Sequence, residues 1–431
     1  MKIMKLNSFG ENMYDLIKKL YPICRSITGD GVRDTLKIIS TDVPIKVKEV
    51  PSGTEVFDWV VPKEWNIKNA YIENSKGEKI VDFKNNNLHV VNYSVPVRKT
   101  VSLKELKEHL FSLPDHPDWV PYRTTYYDKN WGFCLSHSQL LNLKDEQYTV
   151  VIDSSLEKGS LSYGELLIKG TLTEEVLIST HTCHPSMCND NLSGIAVATY
   201  LAKYLNQTEN RYSYRFLFIP GTIGSIIWLA LNEKKAKNIK HGLVLTGVGD
   251  SGSITYKRTR RGNAEIDRVT EYVLKNSEDN YSVIDFYPFG YDERQYCSPG
   301  FNLPVGTFMR SPHGKYPEYH TSADNLKFIR PEKLDDSLQK IKSVINILEE
   351  NKTFVNLNPK CEPQLGKRGI YGAMNAVGEE KAKLQMAILW VLNLSDGSNS
   401  LLDIAEKSNC GFDLIKDAIT ILLKNSLLKE I

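Results

Sequence analysis

Two histidines three residues apart, His181 and His184, are followed six residues later by Asp190 and the turn Asn191-Leu-Ser-Gly194. A third histidine, His320, lies in the polar segment Tyr319-His-Thr-Ser-Ala-Asp324. Imidazole nitrogens and carboxylate oxygens are the donors zinc takes, and three protein ligands with water in the fourth position is the usual catalytic arrangement. The pattern therefore predicts a metal site. The same residues allow a second chemistry, in which Cys183 or Cys188 is a nucleophile and a histidine its base. That use needs a thiolate and an oxyanion pocket, and no residue pattern specifies either.

Such a site needs elements that present it. Val176 to Ser179 reads as a buried strand and Ile195 to Leu205 as a helix, so the histidines and Asp190 fall on a strand-to-helix turn. Ligands of open α/β sheets bind at the carboxyl ends of strands, where this turn lies. From there strands are expected at 176–180, 213–219, 242–248, 283–286 and 305–308. Helices are expected at 191–206, 223–235, 263–276 and 331–350, the last with Leu334, Leu338, Ile341, Val344 and Ile345 as its buried stripe. This alternation predicts an α/β domain with a mostly parallel sheet covered by helices.

Upstream, Met13, Leu16, Ile17 and Leu20 mark a helix over 11–20 that Pro22 ends, and a second helix starts near Asp30 as its cap. Between residues 51 and 159, short alternating runs around Ser75-Lys-Gly77 and Asn85-Asn-Asn87 predict antiparallel strands. One helix interrupts them, opened by Ser102 and Glu105 as a capping box. The expected organisation is an α/β domain over 1–50 and 160–355, an inserted β-rich domain over 51–159, and a linker with a small C-terminal domain over 356–431. In the last, three short amphipathic helices and a final strand resemble a winged helix-turn-helix. Its second helix carries Asp413 and Asp417 against Lys416 and Lys424 and has no arginine for phosphates, so nucleic acid is not the expected partner.

The bulk of the chain agrees with a multidomain globular protein, since 431 residues exceed one ordinary core. A formal charge of +2 provides no field for nucleic acid or membrane surfaces. Met1 to Leu20 lacks the continuous apolar run of a signal peptide, and no stretch is long enough to span a bilayer. Seven scattered cysteines, an odd number, point to a reducing, cytoplasmic setting.

The order of a strand, His181, Asp190-Asn-x-Ser193-Gly194 opening a helix, a second strand-to-helix turn ending in Gly224-Ser225, a third strand and Tyr319-His320-x-x-x-Asp324 resembles the M28-type zinc aminopeptidases. The His181-x-Cys183-His184-Pro element is similar to a branch described as aminopeptidase-like and associated with polysaccharide biosynthesis. That branch adds a small β domain and a C-terminal winged helix. The resemblance implies a three-layer α/β/α zinc-peptidase-like domain with a mixed, mostly parallel sheet. It implies that Asp190 is the metal-bridging aspartate, joined to Asn191 by a cis peptide bond, and that His320 is the late ligand. His181 holds the family's place after the strand and His184 lies nearer the turn, so both stand as candidates. Cys183 replaces the aspartate of the family's His-x-Asp element.

Several positions depart from the family. Where it has Glu-Glu, a general base followed by a ligand, this chain has Gly221-Thr222; where the third strand ends in a ligand aspartate it has Thr246, with Asp250 as a displaced substitute. One zinc ion held by His181 or His184, Asp190 and His320 is therefore expected instead of two. Glu293 and Glu318 are candidate replacement bases, since general-base assistance is worth roughly 10² to 10⁴ in rate. Arg258, Arg261, Arg294 and Arg310 are candidates for holding a carboxylate or phosphate, to which the arginine fork is suited. The expectation is a zinc-dependent aminopeptidase-like hydrolase of small peptide-like or acyl-amino-acid amides. The alternative is a non-catalytic, metal-containing ligand-binding or protein-interaction protein. A homo-oligomer joined through the C-terminal domain is a further expectation.

Overall fold

The structure is a computed structural model that describes residues 9–277, 279–370 and 379–431. The first eight residues of the expected N-terminal segment, and the end of the expected linker, lie outside the described residues. The chain divides into two units, Met1–Ile341 and Lys342–Ile431.

In the first unit an eight-stranded sheet runs in the order 46–51, 160–168, 213–219, 175–181, 239–245, 305–309, 254–257, 281–284. Strand Glu175–His181 is parallel to Ser213–Ile219 on one side and to Ile239–Leu245 on the other, and Ile239–Leu245 is parallel to Val305–Met309. Strands Lys46–Pro51 and Ser160–Ile168 extend the sheet antiparallel beyond Ser213–Ile219. Every residue of Glu175–His181 and Ser213–Ile219 is buried, as expected of strands with neighbours on both sides and helices above and below. At the start of the central strand, Arg215 forks onto Glu175 at 2.6 and 2.7 Å and also reaches Glu165, tying three adjacent strands.

The expected elements recur with instructive shifts. The third strand ends at Leu245 rather than 248, because Gly247 takes φ +56° and residues 247–249 leave the sheet to bond the 188–193 turn. The helix expected over 223–235 breaks at Asn232 into Ile223–Leu231 and Glu233–Ala236. Strand Ile254–Lys257, which sequence periodicity did not suggest, pairs antiparallel to Val305–Met309 and parallel to Tyr281–Ile284. The helix Asp30–Ser40 forms, but Asp30 does not cap it: Gly29 is the N-cap at φ +97°, and the Asp30 N–H donates to Asn66 Oδ1 at 2.7 Å. The cap thus comes from a strand of the β-rich region.

That region holds an antiparallel sheet in the order 79–82, 64–73, 147–157, 97–102, with Ala70, Ile72, Val150 and Ile152 buried on one face. Ser102 accepts the Glu105 N–H as expected, while the Glu105 carboxylate turns to Lys99. In the second unit, strands Asp396–Ser400, Thr353–Asn356 and Leu428–Glu430 form a three-stranded sheet beside helices Glu379–Leu394, Leu401–Ser408 and Phe412–Lys424. A Ser400–Asp403 capping box opens the middle helix, and Asn409 in the left-handed region closes it. This is a winged helix-turn-helix. No helix among the described residues is long and apolar enough to cross a membrane.

Candidate metal centre

The central strand ends at His181, and its chain then loops through Cys183 and His184 into an irregular turn, Cys188–Ser193, that contains a cis Asp190–Asn191 peptide. Every residue of that turn is buried. Its backbone bends away from helical angles at Asp190 and Asn191, so polar side chains supply the pairing that a helix would have given. Asn191 Oδ1 accepts the N–H groups of Gly194 and Gly247 at 3.3 and 3.2 Å. Asn189 Oδ1 accepts the Gly249 N–H at 2.9 Å, and Ser193 Oγ accepts that of Val248 at 3.0 Å. Asp324 accepts the N–H groups of both Asn189 and Asp190.

Asp190 is 1% exposed, and three imidazoles converge on its carboxylate. His181 Nε2 lies 2.8 Å from Oδ1; His320 Nε2 and His184 Nε2 lie 3.0 and 3.8 Å from Oδ2. Donor atoms of His181, His184 and Asp190 all fall within 4.8 Å of one another. Burial alone would raise the Asp190 pKa, but the rings of His184, His181 and His320 hold the carboxyl well below its usual range. Burial holds the His184 ring well below its usual pKa, and so in the neutral form that a metal ligand requires. This buried set of imidazoles around one ionised carboxylate fits a zinc-type ion, which such nitrogen and oxygen donors suit. Thr246, just past the end of strand Ile239–Leu245, has its buried Oγ1 without a partner among the described residues.

Aromatic side chains wall this group. Tyr122 sits with ring centroids 5.2 Å from His184 and 5.1 Å from His320, and Tyr291 stacks on His181 at 3.9 Å. The Tyr291 hydroxyl lies 3.0 Å from Asp190 Oδ2 and 3.2 Å from His184 Nε2. His313 packs against Tyr291 at 4.6 Å. Burial pushes the Cys183 and Cys188 thiols up, opposite to what a nucleophilic thiolate needs.

Of the other expected site residues, the structure brings few to this centre. Asp250 is buried, but its oxygens accept from Asn189 Nδ2, the Gly252 N–H, and Ser311 N–H and Oγ, so it braces the turn from behind. Glu293 is spent on Lys257 at 2.9 Å and on the Tyr291 N–H. Glu318 is half-buried in the turn before His320, where its main-chain oxygen accepts from Thr321. Arg258 is paired with Glu271 and Asp285, Arg261 with the Asn302 carbonyl, and Arg310 with Asp336 and the Gly252 carbonyl. Arg294 has its Nε buried without a partner among the described residues. Internal geometry thus accounts for three of the four arginines.

Residues that the sequence did not single out take their place. Tyr122 and His313 carried no recognisable spacing, whereas Tyr291 and Asp324 stood in view near the late motif without an assigned role. Asp292 lies behind Gly221: a Cβ at Gly221 would stand 3.6 Å from its Oδ1, 3.1 Å from His181 Cβ and 3.3 Å from Tyr291 Cδ1. Burial pushes the Asp292 carboxyl up to about 6, and its Oδ1 accepts from Ser225.

The family model described as domain of unknown function DUF4910 matches residues 14–351, and a winged helix-turn-helix model matches residues 352–430. A Clostridium acetobutylicum protein named for polysaccharide biosynthesis and an aminopeptidase-like domain is 57% identical over 427 residues, 99% of this chain and 98% of its own. A crystal structure from the same organism, named as a candidate peptidase, superposes with a TM-score of 0.93 at 56% identity. It covers 98% of this chain and 96% of that one. BSAP, a zinc aminopeptidase of Bacillus subtilis, superposes with a TM-score of 0.57 at 15% identity over 79% of this chain and 94% of that one, a likeness of fold.

Proposed function

The chain belongs to the DUF4910 family, and from that premise we propose that it is an aminopeptidase-like, zinc-dependent hydrolase of amide bonds working with one ion. The observation that carries this reading is the convergence of His181, His184 and His320 on the ionised, buried Asp190 at the carboxyl end of the central strand. An ion bound there would supply Lewis acidity toward a carbonyl and make water a nucleophile at neutral pH. Asp190 orients the imidazoles, Asp324 fixes the Asp190 backbone, Asn191 ties the turn to Gly194 and Gly247, and the Tyr122 and Tyr291 rings exclude bulk water. The substrate class is a small peptide-like or acyl-amino-acid amide, suited to a site enclosed by aromatic rings. The name of the Clostridium relative supports a role alongside polysaccharide biosynthesis. Seven free cysteines support a reducing, cytoplasmic setting.

Gly221 favours a second reading, a metal-containing ligand-binding protein without turnover, because no side chain at that position takes a proton from water. The winged helix then serves as a protein-contact module, including contact between copies of the chain. Release from a panel of aminoacyl and acyl-amino-acid amides, assayed before and after chelation, separates the two. Chelator-sensitive turnover by the native chain supports the hydrolase; metal binding without turnover on any amide supports the second reading.

A further inference from the structure

A second concave site lies in the β-rich region, built from chain segments far apart in sequence. Residues 52–53, 60–63, 93, 127–129, 156 and 158 enclose a pocket of about 350 Å³, within the size range of small-molecule sites. Its wall is apolar where Val61, Pro62, Tyr93, Leu156 and Tyr127 line it, and Val61 and Tyr93 are buried. None of these residues belongs to the metal centre. The two sites share a partition instead: the Tyr93 ring packs on Tyr126 at 5.8 Å, the Tyr126 hydroxyl lies 2.9 Å from that of Tyr122, and Tyr122 walls the centre.

Tyr93 and Tyr127 both take φ +72°. A bulky residue in the left-handed region persists only where its surroundings hold it there. Tyr93 is held from within, because its ring packs against Trp65 at 6.3 Å and its hydroxyl donates to the Lys63 carbonyl. Tyr127 differs: it is 52% exposed, and its neighbour Trp59, at 5.6 Å, is itself 42% exposed. Backbone strain here keeps an aromatic face at the rim of the pocket, where an apolar ligand body would cover it.

The charged lining is one-sided. Lys63, Lys129 and Lys158 stand around the pocket against a single acid, Asp128. Their ammonium groups make no ion pair or hydrogen bond among the described residues, whereas Lys18, Lys99 and Lys203 elsewhere on the surface are paired. Like charges around one small pocket repel each other, and an anion seated among them relieves that repulsion.

Independently of the metal-site reading, we infer that this pocket binds a small amphipathic anion. An acyl or aryl body packs against Tyr127 and Leu156, and a carboxylate or phosphate head is held by Lys63, Lys129 and Lys158. The size of the pocket and its apolar wall select the body; the unpaired lysines select the head.

The test is calorimetric titration of the chelator-treated full chain with octanoate, octyl phosphate and 1-octanol. One saturable site is expected for at least one of the two anions, bound at least about ten-fold more tightly than the alcohol and weakened by salt. The tighter of the two identifies the head. Combining Lys63→Gln, Lys129→Gln and Lys158→Gln, all exposed and therefore tolerated by the fold, is expected to remove the preference for the anion and leave alcohol binding unchanged. Tyr127→Ala is expected to weaken all three ligands. No saturable binding of either anion at millimolar concentration, an alcohol bound as tightly as the anions, or an unaltered preference in the triple variant overturns the assignment. Anion binding that appears only after zinc loading puts the head on the ion, which overturns this pocket and supports the metal centre. Anion binding by a chain that takes up no zinc supports the pocket and overturns the metal centre alone.

Discussion

The carboxylate of Asp324 accepts the backbone N–H of Asp190 at 2.9 Å, so the residue four places after His320 holds in position the carboxylate that His320 itself contacts. One short segment supplies both an imidazole to the centre and the anchor of its acidic partner. Asp324 is fully buried, and its other oxygen accepts the Asn189 N–H at 2.6 Å.

Replacing Asp324 with asparagine leaves one of these two N–H groups facing an amide donor. An unsatisfied buried donor costs about 1–3 kcal/mol, so Asp324→Asn is expected to lower unfolding stability by that amount and to weaken zinc binding. Urea unfolding checks it; an unchanged midpoint would show that the turn does not depend on this anchor.

Asp190→Asn and His320→Ala are each expected to abolish stoichiometric zinc uptake, because the imidazoles of the centre converge on the Asp190 carboxylate and His320 is one of them. Elemental analysis of the purified variants after zinc loading and gel filtration measures this. Full zinc content in either variant would place the ion elsewhere.

Gly221→Glu is expected to raise amide turnover by roughly 10² to 10⁴ if general-base assistance is what the chain lacks. The new Cβ would stand 3.1 Å from His181 Cβ and 3.3 Å from Tyr291 Cδ1, so both neighbours must yield by a few tenths of an ångström. Steady-state rates on the amide panel decide it, with zinc affinity measured in parallel to reveal displacement of the rings. No gain in a variant that keeps its zinc counts against the hydrolytic reading.

Acid stability has a distinct origin. Arg33 donates two hydrogen bonds to Glu64 and, with smaller help from the Ser160 N–H, holds the carboxyl down to about 2 from its ordinary value of 4.5. A folded pKa below the unfolded one means that the unfolded chain binds more protons in that window. The contribution is therefore complete above pH 4.5 and lost as pH falls toward about 2. Glu64→Gln is expected to flatten this limb of a stability-versus-pH curve, and an unaltered limb would assign acid sensitivity to other carboxylates.

The winged helix is expected to show no salt-dependent binding to duplex DNA, since Asp413 and Asp417 offset Lys416 and Lys424 along Phe412–Lys424. Fluorescence anisotropy with a labelled duplex at low and moderate salt checks this on the full chain. Binding that weakens steeply with salt would replace the protein-contact role with a nucleic-acid one.

Much of the fold was legible because burial leaves a period in the sequence. Strand Ser213–Ile219 and helix Pro331–Glu350 fall where the apolar pattern put them. The strand Ile254–Lys257 was hidden by its position beside the arginine-rich run 257–261, which reads as a turn. Asp30 looked like a cap because capping residues are recognised by type, whereas the acceptor actually used, Asn66, comes from 36 residues away. The centre was half legible. His181, His184, Asp190 and His320 were visible through their types and spacing, but Tyr122, Tyr291 and His313 reach it through tertiary packing that no local pattern records. Three of the four arginines are paired internally for the same reason: the partners Glu271, Asn302 and Asp336 of Arg258, Arg261 and Arg310 are distant in sequence.

Val120 donates its N–H to Ser322 Oγ across 202 residues of chain, the Tyr122 N–H bonds the His320 carbonyl, and Pro121 bridges to Thr321. The wall that Tyr122 contributes and the histidine it packs against are therefore held together by contacts between segments far apart in the chain, whose pairing must offset the entropy of closing a long loop. The first half of the sequence holds His181, His184 and Asp190, whereas Tyr291 and His320 come from the second half. An ion site that includes His320 would therefore need both halves of the chain.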